Sequence, residues 1–216
     1  MTGNNYEILV DNAMAAHPRL LSVRSAIVTA YVQLQSCFGA GNKLMVCGNG
    51  GSAADAEHMV TELVNRFAFK RQLPKKDKDS LMKAGLTEDF ADKLQPGLNA
   101  IALGSNSALN SAIANDLGYP LVYAQQVLSY GRVGDTLFAI STSGNSENVI
   151  NAIKVAKAQG IYTIGLTGNT KSSLAGLVDL AIQVDSSVTA DIQELHLPVY
   201  HLLCRMLEQS FFEEAN

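Results

Sequence analysis

Three of the four histidines in this 216-residue sequence fall on two segments with a helical pattern. His58 and Glu62 are four residues apart, so they share one face of a helix. Gln193 and His201 lie on a second predicted helix. Their separation of eight residues is a rotation of about 80°, which lets both face one cleft. Imidazole and carboxylate groups suit general acid–base catalysis. The spacing therefore indicates a proton-transfer site, although each residue taken singly also fits an ordinary solvated or hydrogen-bonded side chain.

A glycine-rich turn, Gly48-Asn49-Gly50-Gly51-Ser52, connects an apolar run to the helix that carries His58. Glycines let the backbone approach a ligand closely, and the start of the following helix attracts anions. Ser52 could act as the N-cap or donate its hydroxyl to a phosphate oxygen. The turn has neither the Gly-Lys-Ser/Thr of a phosphate-binding P-loop nor the GxGxxG spacing. Alone, it is a weak indication of a phosphate site.

A second loop, Ser141–Ser146, strengthens the phosphate interpretation. It also follows an apolar run and leads into a helix that begins near Glu147. Four hydroxyl side chains fall within six residues, whereas a helix cap needs only one. Ligands of parallel sheets bind at the carboxyl ends of the strands, where both loops would lie. The two loops together predict a phosphorylated ligand.

Short apolar runs alternate with amphipathic segments, which is typical of βαβ units and a parallel sheet covered on both faces. The predicted fold is therefore α/β, in three layers. The strands are Lys43–Cys47, Leu98–Leu103, Thr136–Ile140, Tyr162–Leu166 and the weaker Ala181–Val184, and the helices lie at about 53–68, 107–128 and 146–159. Helical patterns over Tyr6–Phe38 and from about Asp191 to Phe212 flank this unit. Such flanking helices favour a homo-oligomer.

The segment at about 70–96 breaks the alternation. It begins with five basic residues between Lys70 and Lys78 and continues with a helix-like stretch, Ser80–Lys93. The basic start could hold an anionic ligand or touch nucleic acid. The simpler interpretation is a solvated insertion, as charged runs usually are.

Composition and net charge exclude several classes of protein. A net charge of −4 argues against nucleic acid as the main ligand. Neither a membrane-spanning run nor a secretory leader is evident, so a cytoplasmic protein without a membrane partner is expected. The three cysteines include no CxxC pair, which argues against a disulfide framework or a structural zinc cluster.

Three motifs in order identify a family resemblance. Gly48–Ser52, Ser141–Ser146 and Ile192-Gln193-Glu194-Leu195-His196 resemble the sugar isomerase (SIS) domain family, most closely its phosphoheptose isomerases. The resemblance covers residues 1–216 as one SIS domain, with N-terminal helices over 6–38 and the insertion at about 70–96. It implies a five-stranded parallel sheet of flavodoxin-like, nucleotide-binding-type topology. It also implies a homotetramer with sites near the subunit interfaces.

The resemblance further implies an aldose–ketose isomerase that converts sedoheptulose 7-phosphate to D-glycero-D-manno-heptose 7-phosphate through an enediol, in heptose biosynthesis for surface polysaccharide. Glu62 and His201 would be the acid/base pair. A Zn²⁺ ion would be held by His58, Glu62, Gln193 and His201. The implied substrate contacts are Asn49, Gly50, Gly51, Ser52, Glu62, Asn115, Asp116, Ser141, Thr142, Ser143, Ser146 and Gln193.

The chain departs from the family pattern at several places. Asp191 stands where the family usually has a basic residue, and Gly104-Ser105-Asn106 replaces a stretch that commonly contains Asp. Pro198 lies inside the last helix, where proline removes a backbone donor and usually causes a kink. Two alternatives therefore stay open. One is a non-catalytic regulator that binds a sugar phosphate, of the type that associates with a replication initiator. The other is an isomerase of another sugar phosphate.

Overall fold

A computed structural model describes residues 5–213, and its centre is a five-stranded parallel sheet. The strand order is β2-β1-β3-β4-β5, the flavodoxin-like order, so the predicted α/β fold is confirmed. The strands are β1 (Leu44–Cys47), β2 (Ala100–Ala102), β3 (Thr136–Ile140), β4 (Tyr162–Gly168) and β5 (Leu180–Val184).

Helices cover both faces of the sheet. They are α1 (Asn5–Ala16), α2 (Arg24–Gly39), α3 (Gly51–Val64), α4 (Lys75–Lys83), α5 (Glu88–Ala91), α6 (Ser107–Asp116), α7 (Val122–Tyr130), α8 (Glu147–Ala158), α9 (Ser173–Leu177) and α10 (Thr189–Phe212), with 3₁₀ turns at Pro18–Val23 and Tyr119–Leu121. Among the described residues, no helix is both long and apolar enough to cross a membrane.

The sheet separates two hydrophobic cores because successive side chains of a strand point to opposite faces. Leu44 and Val46 of β1 pack in a core with α1, α2, α3 and α10. Met45 and Cys47, which alternate with them, pack in a second core with α6, α7, α8 and α9. The central strands are buried on both faces, which explains their continuous apolar runs.

Two of the predicted helices are interrupted. The pattern over Tyr6–Phe38 divides into α1 and α2 around Pro18, because proline favours a helix start and disfavours a helical residue before it. The pattern over 107–128 likewise divides at Gly118, which has φ +93° and is followed by a 3₁₀ turn containing Pro120. By contrast, α10 is continuous through Pro198.

The insertion forms two short helices, α4 and α5, rather than the single stretch Ser80–Lys93. α4 has no buried residue, so its lysine-rich surface is solvated as the simpler interpretation predicts. Lys78 forms ion pairs with Glu88 and Asp92 of α5 and its flank. The basic start is not uniformly solvated, however, because Arg71 is completely buried. A cavity of about 790 Å³ lies within the insertion and is lined mainly by its own charged residues.

His196 is wholly buried on α10. Burial lowers its pKa to about 4, and the nearby backbone of Thr167 offsets only part of this effect. The ordinary histidine pKa in an unfolded chain is about 6.5. The unfolded state therefore binds more protons between pH 6.5 and pH 4.

We therefore expect His196 to destabilise the fold in acid. Its contribution is absent above pH 6.5 and grows to a loss of roughly 3 kcal/mol as the pH falls to 4. Urea unfolding of wild type and His196→Met at pH 7.5, 5.5 and 4.5 measures the difference. An equal loss in the free energy of unfolding between pH 7.5 and pH 4.5 in both proteins would contradict the prediction. His17→Gln is the control, because His17 is an exposed histidine.

Candidate active site

The strand order places the two predicted phosphate loops beside each other. The chain moves from β1 outward to β2 and then returns across the sheet to β3, so β1 and β3 flank a topological switch point. Open parallel sheets bind ligands in the crevice outside the carboxyl ends of such strands. The loop after β1 and the loop after β3 both leave the sheet at this crevice.

The first loop turns into α3 at Gly50, which is the N-cap residue and has φ +55°. Ser52 is therefore not the N-cap, contrary to one of the two roles expected for it. It lies in the first turn of α3 and is buried against the loop, where its backbone leaves no room for a Cβ on Gly48. No side chain of the described residues caps α3, which leaves the positive end of its dipole available to an anion at the first loop.

The second loop holds its hydroxyl groups close together. Ser141 Oγ lies 3.2 Å from Ser146 Oγ and accepts a hydrogen bond of 3.1 Å from the backbone N–H of Gly144. Gly144 has φ +62° and packs so closely on Ser172 that a Cβ there would overlap its hydroxyl. Ser146 is the N-cap residue of α8, yet its side chain makes no capping bond. The loop thus presents hydroxyls and a helix N-terminus together.

A reciprocal amide pair joins the two loops. Asn49 Nδ2 donates to Asn148 Oδ1 at 2.8 Å, and Asn148 Nδ2 donates to Asn49 Oδ1 at 2.9 Å. The Tyr119 hydroxyl also donates to Asn49 Oδ1 at 3.1 Å, whereas the Tyr123 hydroxyl donates to the carbonyl of Gly48 and lies 3.3 Å from Asn49 Oδ1. The side chain of Asn49 therefore connects α8 to the first loop, in addition to the substrate contact expected of it.

The acid/base candidates on α3 meet a hydrogen-bonded chain. His58 Nε2 lies 3.0 Å from Glu62 Oε1, and His58 Nδ1 lies 3.0 Å from the Tyr200 hydroxyl. That hydroxyl also lies 3.3 Å from Asp55 Oδ1, so Tyr200 connects His58 to Asp55, and which atom donates between His58 and Tyr200 depends on the imidazole tautomer. The His58 side chain is 43% exposed and that of Glu62 is 16% exposed, so the pair is accessible to solvent from a partly sheltered position.

His201 packs against this chain from α10. Its ring centroid lies 4.9 Å from that of His58 and 5.0 Å from those of Tyr200 and Phe67. Burial lowers the pKa of His201, and the neighbouring His58 lowers it further. Among the described residues, its Nε2 is buried and has no hydrogen-bond partner. The structure thus brings His58, Glu62 and His201 together, as their spacing indicates.

Gln193 joins the same side of the crevice. A Cβ added to Gly51 would overlap its amide nitrogen, so the glycine allows the start of α3 and the start of α10 to approach closely. Gln193 therefore lies between the first loop and the acid/base group. Its expected roles as a substrate contact and as a zinc ligand stay predictions.

Asn115 and Asp116 occupy a different place. They lie at the exposed end of α6, and Asn115 Nδ2 donates to Asp116 Oδ1 at 2.8 Å. Over residues 5–213, neither side chain forms a hydrogen bond to the two loops or to the acid/base group. Their link to the crevice is Tyr119, three residues later, which donates to Asn49.

The predicted zinc ligands are of residue types that can bind a metal. In the described residues, however, their side chains do not form a metal-binding cluster. The buried Nε2 of His201 lacks a partner that a cation would supply, and two imidazoles with a carboxylate are ordinary zinc ligands. Nevertheless, in the part of the chain that the structure describes, no three His, Cys, Asp or Glu side chains stand in a metal-binding arrangement. The donors would therefore have to converge when an ion binds.

Asp191 does not bring an unpaired negative charge to the site. Arg19 donates to both carboxylate oxygens, at 2.6 and 2.7 Å, and to the backbone carbonyl of Asp185 at 2.8 Å. The guanidinium holds the pKa of Asp191 down, to about 2. The ion pair ties the first turn of α10 to the 3₁₀ turn at Pro18–Val23.

Several residues of the site are not among those predicted from the sequence. Asp55 could have been found, because it lies three residues before His58 and seven before Glu62 on one helix face. Tyr200 and Phe67 look like ordinary core residues, and only the packing of α10 on α3 brings them to the histidines. Asn148 carries no local signal, since its partner is 99 residues away.

Comparisons with known proteins agree with this geometry. The SIS domain model matches residues 15–77 and 87–168, and the unmatched residues 78–86 lie in the insertion. A phosphoheptose isomerase of Synechocystis sp. is 40% identical over 179 residues, which are 83% of this chain and 80% of that protein. One from Nitratidesulfovibrio vulgaris is 38% identical over 189 residues, which are 88% of this chain and 79% of that protein.

Solved structures give the same result. A phosphoheptose isomerase from Francisella tularensis superposes with a TM-score of 0.75 at 31% identity, over 95% of this chain and 96% of that one. One from Neisseria gonorrhoeae has a TM-score of 0.71 at 30% identity, over 94% and 93%. This chain belongs to the SIS domain family and, within it, to the phosphoheptose isomerases.

Proposed function

We propose that this chain is an aldose–ketose isomerase that converts sedoheptulose 7-phosphate to D-glycero-D-manno-heptose 7-phosphate. The observation that carries the proposal is the assembly of Glu62, His58 and His201 into one cluster on α3 and α10, two helices that meet at the first loop through Gly51 and Gln193. Relatives at about 40% identity are named for this activity, which supports the same substrate here.

One set of residues would bind the phosphate, and another would transfer protons. The loop hydroxyls and the N-termini of α3 and α8 would hold the phosphate. Isomerisation moves a proton between C1 and C2 through an enediol, which requires a base at carbon and a group that serves the oxygens. Glu62 would take and return the carbon-bound proton, while His201 would exchange protons with the sugar oxygens.

We also propose that zinc binds to His58, Glu62, Gln193 and His201. A bound Zn²⁺ would polarise the sugar carbonyl. Metal analysis of the purified protein after dialysis against zinc should give about one ion per chain in wild type and a clear loss in His201→Gln. Equal zinc content in both proteins, or none in wild type, would remove this part of the proposal.

The structure weakens the case for a non-catalytic regulator. Asp191, a departure that left this alternative open, is paired with Arg19, and Arg71 of the basic insertion is buried within the fold. We further propose a cytoplasmic homotetramer. Large apolar side chains exposed on the N-terminal helices, such as Ile8 and Leu21, would be covered in such an assembly.

Incubation with sedoheptulose 7-phosphate tests the proposed activity. We expect the aldose phosphate to appear, with and without added zinc, and to be detected by chromatography against a standard. Fructose 6-phosphate in a parallel reaction distinguishes this enzyme from an isomerase of hexose phosphates. Absence of a seven-carbon aldose product would rule out the specific assignment.

A further inference from the structure

A buried ion pair behind the acid/base group connects the two helices that carry it. Arg71 and Glu208 have side chains that are 0% and 1% exposed, and Arg71 Nε lies 3.0 Å from Glu208 Oε1. Arg71 belongs to the start of the insertion, and Glu208 lies near the end of α10. We call these two residues the Arg71–Glu208 clamp.

The guanidinium of the clamp binds the end of α3. Arg71 Nη2 donates to the carbonyl of Glu62 at 2.7 Å, and Nη1 donates to the carbonyl of Leu63 at 2.7 Å. These carbonyls belong to the last turn of α3, where helices leave acceptors without intrahelical donors and where a cation is favourable. The backbone of Glu62 is therefore held directly by Arg71.

The carboxylate of the clamp binds the segment that follows α3. Glu208 Oε1 accepts from the backbone N–H of Phe67 at 2.8 Å, and Oε2 accepts from that of Ala68 at 2.6 Å. Phe67 in turn packs on His201. Glu208 follows His201 by seven residues, two helical turns, so both point to nearly the same side of α10.

We propose that Arg71 and Glu208 are positioning residues that set the relative placement of Glu62 and His201 for proton transfer. This inference rests on the proposed isomerase function. The contacts converge on the backbone of one acid/base residue and on the ring that packs against the other. A buried ion pair is weak evidence for a stabilising role, because well-packed apolar residues often replace such a pair without loss of stability.

The test uses the double variant Arg71→Met/Glu208→Leu, since removal of one partner alone would leave a buried charge and endanger folding. We expect kcat to fall at least tenfold, because small displacements of catalytic groups lower rates by up to about 10²-fold. KM should change less than threefold, since the phosphate loops are untouched. The melting temperature identifies any variant that is unfolded at the assay temperature.

A matched control exists at the amino ends of β1 and β3, the end of the sheet opposite the crevice. Asp135 forms an ion pair with Lys43 and accepts from the backbone N–H groups of Lys43 and Arg132, at 2.9 and 2.8 Å. This arrangement resembles the clamp but is remote from the crevice. Lys43→Met/Asp135→Leu should keep the wild-type kcat per folded molecule. An equal kcat in the clamp variant and in this control would overturn the proposal.

Hydrogen exchange separates this inference from the proposed function. The amides of residues 62–65 keep their own helical acceptors in the clamp variant, so their exchange reports how firmly the end of α3 is held. We expect at least tenfold faster exchange there in the clamp variant and no change in the control. If wild type fails to isomerise the sugar phosphate, the proposed function is lost. Unchanged exchange at residues 62–65 would overturn the clamp independently.

Discussion

The Glu62→Gln enzyme is expected to fold normally and to lose about 10²–10⁴-fold in kcat. Glutamine has nearly the same shape as glutamate, but it cannot accept the carbon-bound proton of the sugar. It can still meet His58, which lies 3.0 Å from the present carboxylate. KM should change little, because the phosphate is held by the two loops rather than by Glu62.

Glu57→Gln is the matched control for this substitution. Glu57 lies on the same helix, five residues earlier, and its side chain is exposed. The control should retain full activity. A kcat within threefold of wild type for Glu62→Gln would show that Glu62 is not the base.

His201→Gln is expected to have a similar effect on kcat, of about 10²–10⁴-fold, and a distinct effect on the pH profile. Burial and the neighbouring His58 lower the pKa of His201, so its imidazole is neutral at pH 7 and becomes charged only below the ordinary value of about 6.5. A neutral ring can accept a hydroxyl proton of the sugar. Wild-type kcat/KM should therefore decline as the pH falls below 6.5.

The pH profile distinguishes a chemical role of His201 from a structural one. In His201→Gln, the decline that belongs to the imidazole should disappear, whereas a structural defect would lower activity equally at every pH. The exposed His17, changed to glutamine, should leave both the rate and the profile as in wild type. A His201→Gln profile parallel to that of wild type would contradict the assigned role.

Local sequence patterns were sufficient to predict the strands of the sheet and the two loops. The strands of a parallel sheet buried on both faces are continuous apolar runs, and each run here ends in a turn whose residues are visible in the sequence. The helical spacing of His58 and Glu62 likewise predicts their contact, because it depends on one helix alone.

Contacts between distant segments could not be predicted in the same way. Arg71 looks like part of a solvated basic run, and its burial depends on Glu208, 137 residues away. Asp191 looks like a misplaced negative charge until Arg19, 172 residues away, is brought to it. The breaks at Pro18 and Gly118 follow from backbone chemistry, yet the amphipathic pattern continues across both and conceals them.

The most direct test of the isomerase account is turnover of sedoheptulose 7-phosphate in D₂O. The proton that Glu62 takes from C1 can exchange with solvent before a proton is returned to C2, because the Glu62 side chain is 16% exposed. We predict that the aldose product of the wild-type enzyme contains deuterium at C2 at early conversion, and that Glu62→Gln gives neither product nor exchange. Formation of the product with no deuterium at C2, or no product from wild type, would contradict the account.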